Sequence, residues 1–318
     1  MRSHTERLAR RVRRLPRIAW VVLATGVLVA STSAILSRYA FPSGLDPRQI
    51  DAWQASRDAH PLALSFWRCA AGAAALLPFC ARRLRSASRF EVTTSVTAGA
   101  FLAVHFATWI SSLTLTSVAA AVLLVSTTPI FVAVTARLLF DERLPRPAWF
   151  GIVLALAGTA AVAGGDLGGA SAVGNMLALA GGATAAGYAL AGERARRTFR
   201  ILEYSVLTYG TAAVLLLSLC VLLRVPLTGY SASVWLAVAA VTLGPQILGH
   251  TFINFALKDI GATVVSVAIM AEPVIATALA YALFAEVPTW LVYPGGALIL
   301  AGIYLVSTAR TRVPLVLE

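Results

Sequence analysis

Ten stretches of the chain are almost continuously apolar, and each has about the length of a membrane-crossing helix. A helix needs about 20 mostly apolar residues to cross the roughly 30 Å hydrocarbon core of a bilayer. Runs such as 118–125 are apolar throughout rather than alternating, which argues against the strands of a membrane barrel. The pattern predicts an all-α membrane protein with ten transmembrane helices. They are expected near residues 18–38, 60–80, 91–113, 117–139, 147–164, 172–191, 204–223, 233–255, 262–284 and 289–308.

The composition agrees with a membrane protein. Hydrophobic residues make up 58% of the 318 residues, charged residues make up 13%, and the mean hydropathy is +0.79. A soluble protein has about 45–50% apolar and about 25% charged residues, so a soluble enzyme is excluded. The three cysteines, Cys69, Cys80 and Cys220, lie in or at the ends of apolar stretches without metal-site or disulfide-framework spacing. No metal or cofactor is therefore expected.

The net charge of +12 is explained by topology. If the N-terminus is cytoplasmic, 21 of the 26 Lys and Arg residues lie on the cytoplasmic side and four on the other. This bias predicts a multi-pass protein of the cytoplasmic (inner) cell membrane with both termini in the cytoplasm. Residues 1–17 then form a basic cytoplasmic tail, residues 309–318 a second tail, and residues 39–59 a solvated outer loop. Nucleic acid is not expected as a partner.

The chain contains an internal repeat of five helices. A shift of 144 residues superposes matching residues of the two halves, which predicts a first repeat over 18–164, an outer connecting loop over 165–171 and a second repeat over 172–308. Because five is odd, the second copy enters the membrane from the opposite side. Inverted repeats around a central site are typical of transporters. The matching pairs are Pro129 and Pro273, Phe140 and Phe284, Glu142 and Glu286, Gly151 and Gly295, and Gly158 and Gly302.

Two polar stripes occupy corresponding positions in the repeats. His105 and Trp109 are four residues apart in the third stretch, and Gln246, His250 and Asn254 have the same spacing in the eighth. Residues at this spacing share one face of a helix. We expect the stripes to form opposite walls of a substrate-binding cavity. The alternative is that each histidine only bonds across a contact between helices.

A single acid and a single base lie near the middle of the predicted spans. Glu272 and Arg68 would each cost about 2.5–3.5 kcal/mol at the centre of a membrane helix. They form either a buried ion pair or a site that binds substrate or couples transport to protons. Pro129 and Pro273 each remove a helix hydrogen bond and predict kinks. Thr128, directly before Pro129, is a further candidate for substrate binding.

The sequence contains no recognisable catalytic set. It has no G-x-S-x-G elbow and no H-E-x-x-H helix, and the glycine-rich segment 164–169 lacks the Lys-Ser or Lys-Thr of a phosphate-binding loop. Two alternatives to a transporter are a membrane enzyme that uses His105 or His250 as a base, and a non-transporting receptor or scaffold. Neither alternative requires a twofold repeat.

Several segments of the chain resemble the signature of EamA-type members of the drug/metabolite transporter superfamily. The resemblance covers residues 18–308 and departs from the usual pattern at residues 285–287. It implies a secondary transporter, commonly an exporter, that works by alternating access and moves an amino acid, a drug or another small metabolite. A proton or counter-solute gradient is the implied energy source. The segments are Phe66-Trp67-Arg68, 117–121, Thr128-Pro129, 140–144, 149–151, 262–266, 271–273 and 284–286.

The polar inventory narrows the expected solute. One mid-membrane cation is too few for a doubly charged phosphate ester, which favours several Lys or Arg groups. One carboxylate argues against a dedicated exporter of polycations. A small neutral, zwitterionic or amphipathic organic solute is therefore the expected partner, together with membrane lipid and with protons as a candidate coupling ion.

Overall fold

The computed structural model describes residues 4–41, 46–116, 118–162, 171–284 and 290–309. Every regular element in these ranges is a helix. A π-helical segment, Thr242–His250, joins α11 to α12. The α-helices are α1 His4–Ala30, α2 Ser33–Ala40, α3 Ile50–Ala55, α4 Pro61–Leu84, α5 Arg89–Leu115, α6 Val118–Val125, α7 Thr128–Phe140, α8 Arg146–Val162, α9 Ala172–Thr198, α10 Ile201–Leu222, α11 Ala232–Val241, α12 Thr251–Ile260, α13 Ala262–Ile269, α14 Glu272–Phe284 and α15 Val292–Thr308.

Within the described ranges, seven segments are long and apolar enough to cross a membrane, judged by length and composition. The helices α8 and α15 are apolar but have only 17 residues each. The helix α9 has 27 residues, but it is rich in small and polar residues and is not one of these seven segments. The all-helical membrane architecture is confirmed, whereas ten spans are not established by this measure. The seven segments are Arg17–Ser37, Pro61–Leu84, Arg89–Leu115, Ala120–Phe140, Ile201–Leu222, Ala232–Ile260 and Ala262–Leu279.

The segments outside the predicted spans are more structured than expected. Helix α1 begins at His4, so most of the predicted tail 1–17 is helical, in keeping with the good helix propensity of Arg and Leu. The expected solvated loop 39–59 contains α3, whose Trp53 is fully buried and donates a 2.9 Å hydrogen bond to the carbonyl oxygen of Asp46. The loop 165–171 and the tail 309–318 lie outside the described residues, apart from Ser171 and Ala309.

Two of the long apolar segments are broken near their middle. The first is interrupted at 126–127, between α6 and α7, and the second at 270–271, between α13 and α14. Each second half has a proline at its second position, Pro129 or Pro273. Proline lacks an N–H group but is tolerated in the first turn of a helix, so the chain restarts a helix instead of continuing the old one. These breaks are the structural form of the predicted kinks.

Helices α8 and α15 pack closely through paired glycines. A Cβ atom at Gly158 would lie 2.5 Å from the carbonyl oxygen of Gly295, and one at Gly151 would lie 2.8 Å from that of Gly302. Only glycine allows this approach, as in other closely packed membrane helices. Because the pairs occur in opposite order along the chain, α8 and α15 are antiparallel.

One end of the bundle is basic and tightly packed. We call it the basic end, and it carries Arg82, Arg83, Arg137, Arg194 and Arg197. Between the middle of the bundle and this end lies an apolar cluster of α1, α7, α9, α12 and α13, in which α7 packs against α13. In the described part of the chain, α6 and α14 make no comparable contact at the opposite end. The cluster's buried members include Leu23, Val27, Val132, Ala136, Leu190, Leu257 and Val265.

Candidate functional site

The two helix breaks have the same geometry but different side chains. Thr128 and Glu272 are the first residues of α7 and α14, and each is followed by its proline. The Thr128 hydroxyl donates to the Val125 carbonyl oxygen at 2.7 Å and lies 3.1 Å from the carbonyl oxygen of Gly182. It thereby satisfies the carbonyl that Pro129 leaves without its usual donor.

A cavity of about 150 Å³ lies between the breaks. It draws its walls from both halves of the chain, because α5, α6 and α7 of the first half and α9, α12, α13 and α14 of the second half all line it. Most of the lining is apolar, and a few polar groups converge on the space, which is the usual make-up of a small-molecule site. The polar, aromatic and proline residues of the lining are Ser31, Ser33, His105, Trp109, Ser126, Thr128, Pro129, Tyr188, His250, Asn254, Ser266, Glu272 and Pro273.

His105 and Trp109 form one wall of the cavity as a stacked pair. Their ring centroids are 5.8 Å apart and their planes differ by 4°. Nδ1 of His105 lies 2.9 Å from the carbonyl oxygen of Gly181. Since a carbonyl oxygen only accepts, Nδ1 carries the proton and Nε2 is left as an acceptor. The hydrogen bond to α9 and the exposure to the cavity occur together, so the two sequence-based interpretations of His105 are compatible.

The facing wall contains His250 and Asn254. The His250 ring makes edge contact with Phe106 at 5.3 Å between centroids. Asn254 is fully buried and exchanges hydrogen bonds with Tyr188, at 2.9 Å from Tyr188 Oη to Asn254 Oδ1 and 2.6 Å from Nδ2 to Oη. The wall is therefore held in place by a polar contact between α9 and α12.

Gln246, the third member of that predicted stripe, does not line the cavity. Its side chain is fully buried against Gly72 of α4, where an added Cβ would lie 3.2 Å from Gln246 Cγ. Its Oε1 accepts a 2.8 Å hydrogen bond from Nε of Arg68. Helix α4 packs against the π-helical segment at Gln246. Of the predicted stripe, only His250 and Asn254 therefore line the cavity.

Arg68 lies behind the cavity wall. It is 0% exposed, its guanidinium stacks on the ring of Phe106 at 4.2 Å, and its Nη1 lies 3.3 Å from Oγ of Ser33. Its Nη2 has no hydrogen-bond partner among the described residues. Of the groups that hold Arg68, only Ser33 lines the cavity.

Glu272 faces the cavity. No residue in the described ranges forms a hydrogen bond or an ion pair with its carboxyl group. It attracts Arg68 electrostatically across the intervening space, but the two do not form an ion pair within 4.0 Å. The position at the start of α14 favours a negative charge, because the N-terminal end of a helix carries a partial positive charge.

Sequence reasoning missed Tyr188 and the serines of the cavity. Tyr188 is the one aromatic residue among the small residues of α9, and that isolation was an available signal. Ser31, Ser33 and Ser266 carried no such signal, because serines are common in membrane helices and only the fold shows which of them face the same space.

The arrangement is that of a helical membrane protein with a cavity lined by both halves of the chain. The model of the EamA-like transporter family matches the chain twice, over residues 17–164 and 172–308. The chain therefore belongs to the EamA-like transporter family, which confirms the resemblance found in the sequence.

Solved structures support the fold independently. One that bears only the description "Crystal structure of protein" is similar to this chain with a TM-score of 0.71 and 23% sequence identity. The match covers 91% of this chain and 96% of that chain. No curated protein matches the chain. At this identity the likeness speaks for the fold alone.

Proposed function

We propose that this protein is a secondary transporter that moves a small organic solute through the central cavity by alternating access. The observation that carries the proposal is the position of the cavity, which lies where a helix of each repeat is broken. Broken helices around a midplane site are a recurrent device of secondary transporters. Unwound turns place free backbone groups beside a solute and act as hinges between half-helices.

The proposal includes ten spans arranged as two inverted five-helix repeats. At 1.5 Å per residue, the 17 residues of α8 or α15 extend about 25 Å, a little less than the hydrocarbon thickness. The 27 residues of α9 are more than enough to cross. The antiparallel contact between α8 and α15 supports opposite orientations of the repeats 18–164 and 172–308. The bias of Lys and Arg supports cytoplasmic termini in the inner cell membrane.

In this arrangement the basic end is the cytoplasmic side, and it is closed. The apolar cluster seals the path below the cavity, and two contacts tie the helices together there. The guanidinium of Arg194 lies over the ring of Phe140, and Glu193 Oε2 accepts a 2.8 Å hydrogen bond from the backbone N–H of Ala262. Transport to or from the cytoplasm requires α7 and α13 to separate at this end.

Export driven by a proton gradient is the direction and energy source that we propose. Glu272 is the one carboxyl group of the cavity lining, and a group that gains a proton on one side and loses it on the other can couple the two movements.

The experiment is solute flux in proteoliposomes with the full chain, with and without a pH gradient. Trp109→Ala removes one wall of the cavity, and Asn254→Ala removes the bond that holds Tyr188. Each is expected to lower flux at least tenfold while insertion into the membrane is unchanged. Trp290→Ala is the matched control, because that tryptophan is 74% exposed.

Normal flux in both cavity variants would contradict the proposal. So would the absence of flux for every solute class tested with protein that is folded and correctly inserted. A fall in flux that Trp290→Ala also shows would point to a general effect of losing a tryptophan rather than to the cavity.

A further inference from the structure

We infer that the solute is an organic amine with one positive charge and an apolar body, whose ammonium group binds against Glu272. This inference rests on the proposed transport function and names the substrate class of the same cavity. It follows from the one carboxyl group among the described lining residues, from the oxygen lone pairs beside it and from the apolar surface around it.

The cavity wall carries a single carboxyl group. Among the described lining residues, Glu272 is the one acidic or basic side chain apart from the two histidines. The buried cation Arg68 is 0% exposed and is held behind the wall by Gln246, Ser33 and Phe106. A solute in the cavity therefore meets a carboxyl group directly and a guanidinium only at a distance.

Three hydroxyl groups of the wall offer acceptors rather than donors. Ser31 donates to the Val27 carbonyl oxygen at 2.7 Å, Ser266 donates to that of Thr263 at 2.8 Å, and the Thr128 hydroxyl is used in the same way. Each of these three hydroxyls has spent its one hydrogen within the protein, so it offers a solute only oxygen lone pairs.

The nitrogen groups of the wall offer both acceptors and donors. His105 uses its N–H on α9 and leaves an acceptor nitrogen, while Tyr188 and Asn254 bond to each other. The N–H donors left for a solute include the His250 ring and the indole N–H of Trp109, which is buried without a hydrogen-bond partner in the described ranges. A protonated primary amine has three donors and no acceptor, so it can bind the Glu272 carboxyl together with the free lone pairs of the wall.

The rest of the lining suits an apolar body. Val122, Val125, Ile253 and Ile269 face the space together with the ring of Trp109. Aromatic faces also attract a cation at close range. A cavity of about 150 Å³ restricts the solute to a small molecule.

An anionic solute is disfavoured by the same inventory. Its carboxylate would face the Glu272 carboxyl, and no Lys or Arg side chain among the described lining residues offsets the repulsion. To reach Arg68 it would have to displace Ser33, whose Oγ lies 3.3 Å from Nη1 of Arg68.

The test compares three solutes with the same phenyl body: phenethylamine, phenylalanine and 3-phenylpropionate. Binding to the purified full chain in nanodiscs is measured by calorimetry at mildly alkaline pH. Phenethylamine is expected to bind at least tenfold more tightly than either of the others. Glu272→Gln is expected to weaken its binding at least tenfold, and Glu272→Asp to restore part of it. Asp51→Asn is the control, because it removes the same charge from the exposed surface of α3.

Equal or tighter binding of phenylalanine or 3-phenylpropionate overturns the inference, as does the absence of binding by all three. Should Glu272→Gln fail to fold, the ranking of the three solutes by the unaltered chain decides alone. Flux of another solute that depends on Trp109, without binding of the amine, would leave the transport function standing while the amine class fails. Absence of any flux that depends on the cavity would remove the transport function itself.

Discussion

The two helix breaks show how a repeated framework acquires a single chemical centre. At both breaks a helix restarts with a proline in second place, as Thr128-Pro129 and as Glu272-Pro273. The Thr128 hydroxyl is consumed by carbonyl groups of its own surroundings, whereas the Glu272 carboxyl has no partner in the described ranges. The repeat supplies the position of the site, and one side-chain difference supplies its charge.

The largest effect is expected at Glu272, because its carboxyl group can bind and release a proton and the Thr128 hydroxyl at the other break cannot. In Glu272→Gln the side chain keeps its shape but cannot bind and release a proton. We expect the ratio of flux with and without a pH gradient to fall to one in this variant, while exchange at saturating solute remains measurable. Proteoliposome flux gives both quantities. A ratio that stays at its original value would contradict the coupling role of Glu272.

A double-mutant cycle asks whether Glu272 is paired with Arg68. Arg68→Gln removes the donors to Gln246 and Ser33, so we expect a loss of about 1–3 kcal/mol in the free energy of unfolding. Because the carboxyl and the guanidinium do not touch, the coupling energy with Glu272→Gln should stay below about 1 kcal/mol. Denaturant unfolding in detergent measures the cycle. Recovery of stability in the double variant would instead indicate a structural ion pair.

A smaller effect is expected at the other break. Thr128→Val keeps the volume of the side chain but removes its bonds to the carbonyl oxygens of Val125 and Gly182. We expect a loss of about 1 kcal/mol in the free energy of unfolding, because one hydroxyl donor is lost. The response of flux to a pH gradient should be unchanged. A lost pH response would show that the two breaks share the coupling role.

The smallest expected effect is a pH dependence of protein stability that arises at His60, away from both helix breaks. His60 lies just before α4, accepts the backbone N–H of Leu62 on Nδ1 at 3.1 Å and contacts the Pro47 carbonyl oxygen through Nε2 at 2.9 Å. Burial lowers the pKa of His60. The unfolded chain therefore binds a proton more readily than the folded chain, so stability is lost as the pH falls below the ordinary histidine pKa of about 6.5. His60→Asn should flatten this part of the curve of midpoint temperature against pH, and an unchanged curve would contradict the assignment.

Much of the framework was predictable from the sequence, because membrane helices and repeats leave local patterns. The apolar stretches, the two prolines and the spacing of His105 with Trp109 all follow from neighbouring residues. The position of the Gln246 side chain outside the cavity could not be predicted in this way. It depends on Gly72, whose lack of a side chain lets α4 pack closely against Gln246. The same is true of Arg68, whose partners come from three different segments.

The most direct test of the central claim is protection of a cavity residue by a transported solute. Ala276 lines the cavity on α14, and the native cysteines Cys69, Cys80 and Cys220 are buried and give little background. In Ala276→Cys, a thiol reagent applied from the side opposite the basic end should react. A solute that the same preparation transports should slow that reaction in proportion to its occupancy of the cavity. A reaction rate that such a solute leaves unchanged would contradict the claim that transport passes through the space between the two breaks.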